Sequence, residues 1–114
     1  MQEKTNIFKV LSDKNRLRIL KMLQYRPLCV CEITNILKLA PSTVSQHLSM
    51  LKKSDFITEH REGKWNNYTI NRSPKDARII AILTSLDFWI GELKEVDFDR
   101  DKIKSVNRFL LTSK

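Results

Sequence analysis

The stretch from residue 41 to residue 53 reads PSTVSQHLSMLKK, and it predicts a helix with two unlike faces. Val44, Leu48 and Leu51 recur at the spacing i, i+4 and i+7, which places them on one buried stripe. The opposite face and its flanks carry short polar side chains and a late lysine: Ser42, Thr43, Ser45, Gln46, Ser49 and Lys53. Hydroxyls and an amide reach base edges in the major groove, and a lysine holds phosphate. This face therefore predicts a DNA recognition helix.

The segment before residue 41 predicts the other half of a helix-turn-helix unit. Val30, Ile33 and Leu37 share one face of a helix of about residues 30–38, and a turn of about three residues follows. Two helices joined by so short a turn are typical of helix-turn-helix motifs. The unit is expected over about residues 30–53.

After the recognition helix the hydrophobic pattern changes to that of strands. Two runs rich in β-branched and aromatic residues, FITEH and WNNYTI, flank a glycine-containing connection at residues 61–64. This pattern predicts a β-hairpin over about residues 56–70. Arg61 and Lys64 give its tip positive charge, as in a wing that touches phosphates or the minor groove.

The remaining sequence predicts helices on both sides of this unit. They are expected at about residues 4–11, 14–24, 74–93 and 100–111, the second with Asp13 as its N-cap and the third opened by Pro74. The order is α-α-α-α-β-β-α-α, a mostly helical winged helix-turn-helix. The helix from Pro74 is apolar around most of its circumference, more than one small domain covers. A twofold interface made by this helix would bury the remainder and space two recognition helices about one DNA turn apart.

Composition is consistent with a small DNA-binding protein. Residues 1–114 are expected to form one domain, and 21 Lys and Arg against 13 Asp and Glu give a net charge of +8, which favours polyanionic partners. No apolar run approaches the roughly 18 residues of a membrane span, and the first residues show no secretion signal. We expect a cytoplasmic protein that needs no cofactor to fold and no membrane.

The chain has two cysteines at the start of the third helix. Cys29 precedes the helix, and Cys31 lies in its first turn. In a reducing cytosol they should be thiols. Cys29 stands at the N-cap position, with Glu32 placed as in a capping box. The positive end of the helix dipole favours thiolate, which binds soft, thiophilic ions. Residues i and i+2 of a regular helix diverge, and the two sulfurs converge better if Cys29 is extended and only Cys31 is helical. Ligand binding is still expected to loosen the first turn and move the recognition helix packed on it.

Several runs of this sequence together resemble the ArsR/SmtB winged-helix repressors. They are LRIL at 17–20, CVCEI at 29–33, STVSQHL at 42–48 and GKW at 63–65, and the resemblance covers roughly residues 5–71. It implies a homodimer paired through the first and the long C-terminal helices, at about residues 4–11 and 74–111. It also implies binding to dyad-symmetric operator DNA, release on binding a metal or metalloid, and base contacts by Ser42, Ser45 and Gln46, with Thr43 less firmly assigned.

Within that family, Cys-Val-Cys at this position resembles the arsenite and antimonite sensors. The family pattern has a third cysteine three residues later, where this sequence has Thr34. Two thiols suffice for a bidentate hold on As(III) or Sb(III). The third position is then left to hydroxide, a small thiol, or a methyl group already on the arsenic.

The sequence leaves other ligands and other classes of protein open. Cadmium and lead sensors of the family add N-terminal cysteines, and residues 1–28 contain none; zinc and nickel sensors use His on the long helix, and residues 74–94 contain none. A soft-metal sensor ranks second, a dithiol redox sensor third, and two cysteines without a ligand are the structural alternative. An enzyme is not expected, since no Cys-x-x-Cys motif or phosphate loop is present. A protein-interaction module without sequence-specific DNA binding is the alternative of another class.

Overall fold

A computed structural model describes residues 2–106, with side chains from Asn6 onward. The helices are α1 (Gln2–Leu11), α2 (Lys14–Tyr25), α3 (Val30–Leu37), α4 (Pro41–Lys53), α5 (Ala77–Ile90) and α6 (Lys94–Ser105). The strands are β1 (Leu28–Cys29), β2 (Ile57–Glu62) and β3 (Trp65–Ile70). The expected helices and hairpin are all present in the expected order. Among residues 2–106 no helix combines the length and hydrophobicity that a membrane span requires.

The core is built from the apolar stripes that the periodicity indicated. α2 begins where Asp13 accepts the backbone N–H groups of Asn15 and Arg16 at 2.8 and 3.1 Å, as an N-cap should. Fully buried aliphatic and aromatic side chains come from α2, α3, α4, α5, α6 and the sheet, among them Ile19, Leu20, Ile33, Val44, Leu48, Leu51, Phe56, Ile79 and Ile103. The helices therefore pack around one contiguous apolar cluster.

The sheet has three strands in the order β1-β3-β2, all antiparallel, where the sequence predicted only a hairpin. β1 was missed because two residues carry no periodic signal; it pairs Leu28 with Tyr68 and Cys29 with Asn67. The connection between β2 and β3 is also shorter than the expected residues 61–64. Gly63 has φ +60, which glycine adopts without strain, so the strands extend to a two-residue turn.

Two helix boundaries near the C-terminus differ from expectation. α5 begins at Ala77, not at Pro74, because the Asp76 side chain accepts the N–H of Arg78 and caps the helix there. The last helix is α6, Lys94–Ser105, instead of about 100–111. Acidic residues in its first turn and lysines in its last suit the helix dipole, a charge pattern that the apolar periodicity did not register. Residues 107–111 of the expected helix lie outside the described part of the chain.

A buried ion pair attaches α6 to α2. Nε and Nη2 of Arg18 donate to the two carboxylate oxygens of Asp99 at 2.8 and 2.7 Å, and Asp99 is only 2% exposed. Its pairing with Arg18 raises the pKa of the guanidinium above its ordinary value. This bidentate pair holds a largely charged helix against the core.

We expect Asp99→Ala to lower the free energy of unfolding by about 3 kcal/mol, because it leaves the partly buried Arg18 without its carboxylate. Urea denaturation followed by circular dichroism at a fixed protein concentration measures the change. Asp97→Ala is the matched control, since Asp97 pairs with Arg100 on the exposed side of the same helix. Equal losses in the two variants would contradict the role assigned to the buried pair.

Candidate nucleic-acid interface and thiol pair

α4 shows the two unlike faces that its sequence indicated. Val44, Leu48 and Leu51 are completely buried. Five of the six predicted contact residues on this helix are exposed, and the sixth, Thr43, is half-buried: Ser42, Ser45, Gln46, Ser49 and Lys53 form the exposed set. The structure therefore presents the hydroxyl-and-amide face outward and keeps the aliphatic stripe inside.

The turn between α3 and α4 sets the angle of this face. Lys38 adopts the left-handed conformation with φ 59 and ψ 39, and its N–H donates to the Thr34 carbonyl at 2.9 Å, which ends α3. Pro41 then occupies the first position of α4, where its missing N–H costs nothing. The helix-turn-helix spans Val30 to Lys53, as expected.

Arg16 is a positioning residue that the sequence analysis did not identify. Its guanidinium lies 3.2 Å from Nδ1 of His47 and 3.5 Å from the Met50 sulfur, and it donates to the Val10 carbonyl at 2.7 Å. These contacts connect α1, α2 and the flank of α4. An arginine on an amphipathic helix gives no sign in sequence of which distant helix it contacts.

The wing, residues 57–70, is connected to α4 by a polar chain. Lys52 donates to Glu59 Oε1 at 2.9 Å, and Tyr68 donates to Glu59 Oε2 at 3.1 Å. The Lys52 ammonium lowers the pKa of Glu59, and burial, followed by the bond to Glu59, raises the pKa of Tyr68 to about 12. The wing is therefore held in a defined position beside the end of α4.

Both predicted wing contacts are exposed. Arg61 lies within β2 and donates to the Gly63 carbonyl at 3.1 Å, while the Lys64 ammonium lies 4.9 Å from the centre of the Trp65 ring. The structure thus brings positive charge to the wing tip, from the end of β2 and from the turn that follows it.

The two thiols meet where β1 becomes α3. Cys29 is extended, with φ −91 and ψ 167, whereas Cys31 is helical, and both thiols line the same pocket. The Glu32 carboxylate accepts the Cys29 N–H at 3.0 Å, the reciprocal half of a capping box. Cys29 is 2% exposed, and Cys31 is half-buried. The pair therefore stands at the first turn of α3, and the loosening of that turn on ligand binding stays a prediction.

The helix dipole favours thiolate at Cys29, but other effects on the pKa of this thiol are larger. Burial, followed by the hydrogen bond with Cys31, raises the pKa of Cys29 to about 12, and the nearby Glu32 backbone N–H offsets this only in part. Desolvation of a charged sulfur outweighs the helix dipole because the Cys29 side chain itself is only 2% exposed. Cys29 is a neutral thiol at neutral pH.

We expect iodoacetamide to modify Cys31 at least about tenfold faster than Cys29, because alkylation needs an accessible thiolate. The rate at Cys29 should continue to rise as the pH increases above 9, since its raised pKa delays ionisation. Peptide mass spectrometry of a time course measures both rates, and the same reaction in urea is the control in which the two rates converge. Equal rates in the folded protein would contradict the burial of Cys29.

The thiol pair opens toward the wing tip. An open pocket of about 260 Å³ is lined by Cys29, Val30, Cys31, Lys64, Trp65 and Asn66. This is several times the roughly 30 Å³ that one water molecule occupies in the liquid. The sequence analysis did not predict that the thiol pair and the wing tip lie close together, because their closeness depends on the pairing of β1 with β3.

The donors at this site are the two thiols of Cys29 and Cys31. Within residues 2–106 no group of three or more His, Cys, Asp or Glu side chains is arranged to hold a metal ion. Two adjacent thiols suit thiophilic ligands, whereas zinc-type sites in proteins take four ligands.

Comparison with known proteins identifies the family of this chain. The family described as "Bacterial regulatory protein, arsR family" matches residues 13–59. The chain is 37% identical over 93 residues to the cadmium resistance transcriptional regulatory protein CadC of Listeria innocua, which covers 81% of this chain and 72% of that protein. It is 35% identical over 89 residues to the arsenic resistance transcriptional regulator ArsR1 of Pseudomonas putida, with 75% and 70% covered.

The fold also occurs in a solved structure. The homodimeric winged helix-turn-helix DNA-binding domain of Mb0332 from Mycobacterium bovis matches with a TM-score of 0.66 at 22% identity, over 82% of each chain. The mostly helical winged helix-turn-helix expected from the sequence is confirmed, with the third strand as an addition.

Proposed function

Because the chain belongs to the arsR family of bacterial regulatory proteins, we propose that it is a dimeric repressor released from its operator by trivalent arsenic or antimony. It is a DNA-binding transcriptional regulator and not an enzyme. The ligand binds between Cys29 and Cys31. The observation that carries the proposal is the joint presence of an exposed hydroxyl-and-amide face on α4 and a thiol pair at the start of α3, the helix on which α4 packs.

The proposed DNA contacts divide into two classes. Ser42, Thr43, Ser45, Gln46 and Ser49 present short donors and acceptors to base edges from the first two turns of α4. The cations lie at the ends of this surface, on Lys53, Arg61 and Lys64, where they contact phosphates or the minor groove. The exposure of this set, together with a net charge of +8, supports its assignment.

The dimer is proposed from the outer surface of α5. Phe88 is 85% exposed, Trp89 is 71% exposed, and Ile80 is also exposed on the same helix, while Phe8 is exposed on α1. Large apolar side chains exposed together mark interaction surfaces. The domain of Mb0332 named above is homodimeric. In this chain the proposed dimer interface is formed by α1 and the segment from Ala77 onward.

We expect Phe88→Ser to raise the dimer dissociation constant at least about tenfold, because a buried phenyl ring contributes strongly to an interface. Sedimentation velocity over a concentration series measures the constant, and circular dichroism shows that the monomer stays folded. Tyr25→Ser, which removes an exposed aromatic ring from the end of α2, is the control. A Phe88 variant that dimerises like the wild type would contradict the interface.

Arsenic is proposed ahead of cadmium because the two ligands differ in how they remove the thiol protons. A neutral trivalent hydroxide exchanges two hydroxyls for two thiols, and the thiol protons leave in the two waters formed. Cadmium binding must release protons from both thiols, including Cys29 with its raised pKa. Cadmium remains the second candidate, because the relative in Listeria innocua is named a cadmium resistance regulator. A dithiol redox response is the third.

The test is a titration of the protein bound to a duplex that it has itself selected from a random pool. Fluorescence anisotropy follows release as arsenite, monomethylarsenite, cadmium or zinc is added in a phosphine reductant. We expect a dyad-symmetric sequence to be enriched and the arsenicals to release it at the lowest concentrations. Release by cadmium alone would overturn the arsenic assignment, and a pool without enrichment would favour a protein-interaction module.

A further inference from the structure

A buried amide, that of Asn67, lies directly opposite Cys29, one of the two thiols. Asn67 on β3 is the register partner of Cys29 on β1, so their side chains stand on the same face of the sheet. Directly opposed residues of antiparallel strands have Cβ atoms about 4.5–5.5 Å apart. Asn67 is 8% exposed, an unusual degree of burial for an asparagine.

One end of this amide is held, and the other has no partner. Nδ2 of Asn67 donates to Glu62 Oε2 at 2.6 Å, and because an ionised carboxylate only accepts, this contact sets which end is nitrogen. Oδ1 therefore points away from Glu62. It is buried and has no hydrogen-bond partner among the described residues. A buried acceptor without a donor is unfavourable, so such atoms commonly mark the place of a ligand or water.

We propose that Asn67 is a ligand-selecting residue of the thiol site, whose Oδ1 accepts a hydrogen bond from a hydroxyl on the bound atom. This inference rests on the proposed function and specifies its ligand: a trivalent arsenic or antimony that keeps one hydroxyl. When As(OH)3 binds, two As–O bonds break, two As–S bonds form to Cys29 and Cys31, and two waters leave. The third hydroxyl stays on arsenic and donates a hydrogen bond to Asn67 Oδ1.

A methylated arsenical lacks this donor. When CH3As(OH)2 binds the same thiols, both of its hydroxyls leave as water, and the methyl group occupies the third position. The buried Oδ1 then keeps no donor and faces an apolar group. Sites built to hydrogen-bond a hydroxyl discriminate strongly against ligands that lack it. Asn67 should therefore favour arsenite over monomethylarsenite.

The test compares the two arsenicals on the wild type and on Asn67→Leu. Quenching of tryptophan fluorescence reports binding, since Trp65 lines the pocket, and a phosphine reductant avoids external thiols. We expect Asn67→Leu to weaken arsenite binding about tenfold and to change monomethylarsenite binding less than about twofold. Thr69→Val is the matched control, because it removes only the 2.9 Å bond to Thr58 on the same face of β3 and should alter neither affinity.

Each result has a distinct meaning. Equal weakening of both arsenicals by Asn67→Leu, or no weakening of either, would overturn the selection. Failure of the wild type to bind either arsenical would instead reject the proposed function and this inference with it. X-ray absorption at the arsenic edge tests the wild type without any variant. Two sulfurs and one oxygen around arsenic support the proposal, and three sulfurs overturn it.

Discussion

Cys31→Ser is expected to raise the arsenite concentration that releases operator DNA about 100-fold, while the affinity for DNA stays within about threefold of the wild type. The second As–S bond forms within an already bound complex, so losing it removes a large effective-concentration advantage. Serine keeps nearly the same shape at this half-buried position, which lies on α3 and not on the exposed face of α4. Anisotropy with the selected duplex measures both quantities on one sample.

Cys29→Ser should act in the same direction. This residue is also the N-cap of α3 and is almost fully buried, so a stability measurement must accompany the release curve. Serine is a favourable N-cap, and the Glu32 carboxylate still has the backbone N–H to accept. If both single variants still release DNA at wild-type arsenite concentrations, the dithiol site is eliminated.

Gln46→Ala should weaken binding to the selected duplex by about 10- to 100-fold and relax base preference at one position of each half-site. A bidentate side-chain contact with a base is worth about 1–3 kcal/mol of discrimination. Gln46 is exposed on α4, one turn after Ser42, so its removal leaves the buried stripe intact. Binding to the selected duplex and to its single-base variants measures the effect.

Lys64→Ala provides the contrast, because a phosphate contact carries no sequence information. It should weaken binding about equally across duplexes and reduce the slope of log affinity against log salt by about one. Lys94→Ala is the charge-matched control, because Lys94 is an exposed lysine at the start of α6. Loss of base preference in the Lys64 variant, or its retention in the Gln46 variant, would contradict the division between bases and phosphates.

The sequence predicted most of the fold because the deciding features are local. The boundaries of α4, the N-cap at Asp13 and the buried stripe of Val44, Leu48 and Leu51 all follow from patterns within a few turns of helix. The position of α6 was missed because its attachment depends on Asp99 meeting Arg18, 81 residues earlier. No periodicity of apolar residues encodes such a contact.

The sequence by itself determined a winged helix-turn-helix, the exposed polar face of α4 and the position of two cysteines at one helix start. Side-chain spacing along a helix or strand directly sets which residues share a face. Only the tertiary structure decided the chemistry at those cysteines. Pairing of β1 with β3 places Asn67 opposite Cys29 and the wing tip beside Cys31, and burial keeps Cys29 protonated. Solvent access and strand register depend on residues that are distant in the chain. The proton affinity of a thiol and the identity of its neighbours therefore depend on those residues too.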